Sequence, residues 1–150
     1  MIFPRINFRD LELGTLPLIT CVILLCVSGA WASERSKADQ ADILNKKVMV
    51  LYEKGSYAEA VPLALQALEL RENLLGSKHP NVAVSLNNLG LLYASLGEYY
   101  KAEKLYLRAL DILQTHLGSD HPHVEATIGN LETLYELIED QREKEVVLMV

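Results

Sequence analysis

The chain is short of cysteine and has no cluster of basic residues, and each shortage closes a route. Only two cysteines occur among 150 residues, Cys21 and Cys26, and both sit in one apolar run. From Ser33 onward there is none, so that part has neither a disulfide framework nor thiol chemistry and must gain its stability from packing. Fourteen Lys and Arg stand against twenty Asp and Glu, a formal charge of −6. Binding to phosphates releases counterions only where basic side chains gather, and none gather here, which argues against a nucleic-acid partner. The G-x-S-x-G elbow, the H-E-x-x-H pair and the G-x-x-x-x-G-K phosphate loop are all missing. No enzyme activity and no cofactor are therefore expected. Alternating β-branched runs and Asn-Gly hairpin signals are absent too, which speaks against strands.

What is present begins with an uncharged stretch, Leu13–Ala32, LGTLPLITCVILLCVSGAWA. Arg5 and Arg9 precede it, and it closes on Ala30-Trp31-Ala32. A basic start, an apolar middle and an A-x-A ending are the three parts of a secretory signal peptide, so residues 1–32 are expected to be a leader cut after Ala32. Asp10 and Glu12 dilute its positive start, and residues 14–32 are nearly long enough to span a bilayer. The alternative is an uncleaved anchor. The two expectations are a secreted or periplasmic chain, or one held at a membrane by 14–32. A short linker, 33–37, then leads into a domain over 38–150.

That domain repeats itself. Gly55, Tyr57, Ala60, Leu63, Leu65, Ala67 and Leu68 recur as Gly97, Tyr99, Ala102, Leu105, Leu107, Ala109 and Leu110. The phrase LGSKHPNV at Leu75–Val82 returns as LGSDHPHV at Leu117–Val124. The offset is 42 throughout (97 − 55 and 122 − 80), and 13 of the 28 positions from Gly55 to Val82 are identical across it. A period of this size is the mark of a stacked array. Units are expected at about 38–79, 80–121 and 122–150, the last incomplete.

Each period holds two helices. Pro80 suits a first helical turn, where its missing N–H is not needed. Val82, Leu86, Leu89 and Tyr93 follow one helix face, and Gly97 can end it with positive φ. Ala102, Leu105, Tyr106, Ala109 and Leu113 form the stripe of the next. The same grammar places helices at 38–53, 57–74, 80–95, 99–116 and 122–138. A helix pair cannot bury both its faces, so successive pairs must stack.

These residues resemble the tetratricopeptide repeat family. The pattern is Leu86, Leu89-Gly90, Tyr93, Gly97, Tyr99, Ala102, Tyr106, Ala109 and Pro122, and it is most similar to the 42-residue variety of kinesin light chain. The resemblance covers about Ala38–Leu137. It implies an all-α fold, a right-handed superhelical solenoid of antiparallel helix pairs, and a protein or peptide partner held on the inner face of the first helices. Position by position it carries the partner-binding role to Asn45, Lys46, Met49, Tyr52, Asn87, Asn88, Leu91, Asn130, Thr133 and Glu136. Asparagine is costly inside a helix unless its amide has work to do. Either these amides bond an extended peptide backbone, or they bond neighbouring helices and hold the stack.

The first and third units depart from the pattern. Val48 and Leu51 stand where Gly90 and Tyr93 stand in the second unit. In the third, Glu132 and Glu139 replace Gly90 and Gly97, and Lys144 falls where Ala102 should recur. Its second helix is expected to be degenerate, a short capping segment QREKEVVLMV. The apolar tail Val146–Val150 either folds onto the last pair or serves self-association.

The histidines raise a metal question. His116, Asp120, His121 and His123 are close in sequence, but no His pair has helical ligand spacing and no cysteine joins them. His79 and His121 lie one repeat apart, at helix-packing distance and not chelating distance. The better reading is punctuation: Gly ends one helix, Ser/Asp and His cap the next, and Pro fills its first turn.

Overall fold

The computed structural model describes the backbone of residues 16–148 and the side chains of 34–148. The leader expected at 1–32, with its alternative as an anchor at 14–32, falls outside the described residues except for helical backbone from Leu16. Among the described residues no helix is long and apolar enough to cross a membrane. Five helices follow one another: α1 Leu16–Glu53, α2 Tyr57–Leu75, α3 Pro80–Ser95, α4 Tyr99–Leu117 and α5 Pro122–Leu148. The described residues contain no strand, and the fold is all-α. Two compact units divide the chain, the second beginning at Lys37. Packing and side-chain contacts are described for this second unit.

The 42-residue period sets the helix boundaries. Tyr57 and Tyr99 open α2 and α4, Pro80 and Pro122 open α3 and α5, and Leu75 and Leu117 close α2 and α4. Turns of three and four residues alternate between the helices, too short for anything but antiparallel neighbours. Gly76 and Gly118 leave α2 and α4 with φ of +85° and +82°, where any side chain would be strained. Three residues on, the doubled phrase caps the next helix. The His79 Nδ1 accepts the Asn81 backbone N–H at 3.1 Å, and the His121 Nδ1 accepts that of His123, also at 3.1 Å. Histidine alone is the side-chain cap; neither Ser77, Ser119 nor Asp120 supplies it.

The core follows the repeat as well. Ala60 and Ala102, Ala67 and Ala109, Val82 and Val124, Leu89 and Leu131, and Leu92 and Leu134 are all buried in equivalent pairs. The alanines let helices approach closely, and larger neighbours fill the space beside them. One cluster joins α1 to α4 through Val48, Ala64, Leu86, Leu89 and Leu113; a second joins α4 to α5 through Ala102, Tyr106, Leu131 and Leu134.

Arg71 of α2 ties the first helices together. Its guanidinium bonds Asp42 Oδ1 at 2.8 Å on α1, and on α3 the Asn81 carbonyl at 3.0 Å and the Ser85 hydroxyl at 2.9 Å. With its oxygen facing the same group, Asn45 accepts two more bonds at 2.7 and 2.8 Å.

Two boundaries differ from expectation. Residues 33–37 are not a loop: α1 runs through them, since Ser-Glu-Arg-Ser-Lys contains no glycine or proline to stop it. The third unit has no separate capping helix. Glu139 takes the place of the turn glycine, no Gly or Pro occurs from Glu132 to Leu148, and α5 continues to Leu148. Ion pairing of Lys144 with Asp140 at 2.6 Å supports that extension along one face. The described part of the tail does not fold back, and every residue from Glu139 to Leu148 is exposed.

Candidate functional site

The first helix of each pair contributes to one cleft. Tyr52 of α1, Leu91, Ala94 and Ser95 of α3, and Asn130, Thr133, Leu134 and Leu137 of α5 line it, with Tyr106 of α4 behind them. Its volume is about 140 Å³. Sites for cofactors and drug-sized ligands run to about 300–1,000 Å³, so this space suits a single side chain. Leu91, Ala94, Leu134 and Leu137 give it an apolar wall, and hydroxyls and an amide give it polar points.

Tyr106 reaches the cleft because Gly90 leaves its path open. Its ring is buried, and burial pushes the phenol well above the ordinary tyrosine range, with the nearby Tyr52 phenol adding to the effect. The group thus stays protonated and offers a donor. Among the described residues it makes no side-chain hydrogen bond, whereas Thr133 already donates to the Gly129 carbonyl at 2.9 Å.

The asparagines divide. Asn130 donates through Nδ2 to Asn87 Oδ1 at 3.0 Å, a rung between α5 and α3 one repeat apart. Asn45 is engaged by Arg71. Asn88 is half-buried and occupies the position equivalent to Asn130 in the preceding unit. On α1, Lys46 lies elsewhere, in an apolar depression with Ile43, Lys47 and Val50; Met49 is exposed, as is Glu136 on α5.

Other polar clusters are local. His121 and His123 stack with ring centroids 5.2 Å apart, and His116 Nδ1 lies 2.9 Å from the Ile112 carbonyl. Among the described residues no three His, Cys, Asp or Glu side chains are grouped to hold a metal ion. Tyr135 donates to Glu103 at 2.8 Å, which holds its phenol protonated above the usual range.

A family model described as tetratricopeptide repeat matches residues 39–115 and again 86–143, together more than half of the chain. The chain belongs to the tetratricopeptide repeat family. Such repeats generally mediate protein–protein interaction and are typically non-enzymatic. A comparison with curated proteins returned no significant match.

Within a tetratricopeptide stack the cleft gathers four of the residues expected at the groove: Tyr52, Leu91, Asn130 and Thr133. Sequence reasoning missed Ala94, Ser95, Tyr106, Leu134 and Leu137. From the sequence Tyr106 reads as core, since it lies in the apolar stripe of a second helix. The signal that could have found it is Gly90, a residue with no side chain facing a large ring.

Proposed function

We propose that this tetratricopeptide protein is a non-enzymatic adaptor, acting without cofactor, that takes an extended peptide segment of a partner protein across α1, α3 and α5. The observation that carries this reading is the cleft itself. It has room for one apolar side chain, a phenol donor at its back, and Asn130 in its wall to meet a peptide backbone, with Asn88 at the equivalent position one repeat earlier. The uncharged run Leu13–Ala32 with its A-x-A ending supports export, with the mature chain starting at Ser33. N-terminal sequencing of exported protein tests that part, and an intact Met1 end would favour the anchored alternative.

The groove is tested by panning a phage-displayed random peptide library on the purified chain. Enriched peptides should share an apolar anchor residue and lose binding to Leu91→Glu and to the double variant Asn88→Ala, Asn130→Ala. Because Asn130 also bonds Asn87, Asn87→Ala is the control: it breaks the same rung without touching the cleft wall. Peptide binding unchanged by the Leu91 variant, at unchanged helicity, would move the site elsewhere.

A further inference from the structure

The repeat itself says which face of α1 is unfinished. Ser85, Leu89 and Leu92 of α3 are buried, and one period later so are Thr127, Leu131 and Leu134 of α5. In the second unit this face is covered by the pair before it: Arg71 of α2 reaches Ser85, and Leu89 and Leu92 share a cluster with Ala60, Ala64 and Leu68. One period earlier the same positions are Ile43, Lys47 and Val50 of α1. There Ile43 is 53% and Val50 48% exposed. With Lys46, Leu51 and Leu63 they outline a depression of about 400 Å³, walled by apolar atoms and rimmed by two ammonium groups. Repeat geometry therefore calls for an amphipathic helix here, lying as α2 lies on α3.

The far part of α5 carries such a stripe, uncovered by any of the described residues. Past Ile138, α5 presents Glu139, Arg142, Glu143, Val146 and Val147 along one stripe, spaced i, i+3, i+4, i+7 and i+8. Val146 is 61% and Val147 75% exposed. Laid antiparallel on α1, as α2 lies on α3, the valines meet Ile43 and Glu143 meets Lys46 and Lys47. With Glu139 and Glu143 against the single Arg142, the stripe is net acidic, and it faces a basic, apolar seat.

We propose that the α5 extension of one copy docks on the Ile43–Lys47–Val50 face of a second copy, so that the chains associate end to end. Seat and stripe are different surfaces of one chain, so the contact closes as a reciprocal pair or a ring, or runs on as a filament, according to the rotation between copies. This uses surfaces other than the cleft and stands whether or not the cleft binds peptide.

Sedimentation equilibrium of the full chain tests it. The weight-average mass should rise with concentration. Lys46→Glu with Lys47→Glu, and separately Glu139→Lys with Glu143→Lys, should each weaken association at least about ten-fold, the equivalent of about 1.4 kcal/mol. Mixing the two charge-reversed variants should restore it, because the reversed seat then meets a reversed stripe. All the substituted residues are exposed, so circular dichroism should not change. A monomer at every concentration up to about 1 mM would overturn the proposal. So would association indifferent to the reversals, which would point to the apolar leader instead, or charge-reversed variants that fail to recover on mixing.

Discussion

Gly90 and Tyr106 occupy one space: a Cβ on Gly90 would lie 2.6 Å from Tyr106 Cε1 and 2.8 Å from Cδ1. One period earlier the same two positions hold Val48 and Ala64, both buried in one cluster. The second unit puts its bulk on the second helix, and the first unit puts it on the first. Total volume is roughly shared out, and only the owner changes. Gly90→Val alone should therefore overpack by about 1–3 kcal/mol. Tyr106→Ala alone should leave a cavity at a cost of about 3–5 kcal/mol. The double variant rebuilds the first unit's arrangement and should lose less than the sum, with a coupling of about 1 kcal/mol or more in urea melts. Strict additivity would show that the two side chains do not compete for the space.

Arg71 offers a second test. Its side chain is 11% exposed and meets Ser85, a buried hydroxyl, while its ion-pair partner Asp42 is 65% exposed. Removing the guanidinium strands Ser85, so Arg71→Ala should cost about 1–3 kcal/mol. Arg71→Lys should recover little, since a single ammonium cannot span Asp42, Asn81 and Ser85 in a fixed fork. Asp42→Ala, which removes only the exposed charge, should stay within about 0.5 kcal/mol. If Asp42→Ala proved as damaging as Arg71→Ala, the ion pair and not the buried hydroxyl would be the important contact.

The helix boundaries were legible because Pro80, Pro122 and the glycines of the turns act locally, within a few residues of themselves. The course of α5 past Ile138 was harder to read. The repeat suggested a turn there, but Glu139 lacks the freedom of Gly97, and local helix preference wins where tertiary packing offers nothing to oppose it. Of the positions expected at the groove, Tyr52, Leu91, Asn130 and Thr133 fall in the cleft, while Lys46 lies in a separate depression. What the expected side chains bond to was not legible. Asn45 answers to Arg71, 26 residues on, and Asn130 to Asn87, and neither pairing has a signature in the spacing.

The doubled histidines make a third prediction. Each supplies a ring nitrogen to a backbone N–H of the following helix, so His79→Ala and His121→Ala should each cost about 1 kcal/mol. The sites are a full repeat apart and share no partner, so the two losses should add. His79→Asn, whose side-chain oxygen can take the same proton, should keep most of the stability. An asparagine variant as weak as the alanine variant would show that the ring contributes by packing and not as a cap.

Alkaline stability isolates the phenol behind the cleft. Burial raises the Tyr106 value above the 10.0 of an ordinary tyrosine. In the unfolded chain the same phenol ionises from about pH 10. Between that point and the folded value, the folded state holds a proton that the unfolded state has released, so stability must fall as pH rises. Below about pH 10 both states are neutral and the group adds no slope. The loss approaches about 1.4 kcal/mol for each pH unit, the limit for one proton. Tyr106→Phe keeps the ring against Gly90 and removes only the hydroxyl. Its urea midpoint should therefore fall less steeply than the parent's above about pH 10, and track it in parallel below. Parallel curves across the whole range would mean that Tyr106 ionises as freely folded as unfolded, and would place its hydroxyl in open water and not at the back of an apolar cleft.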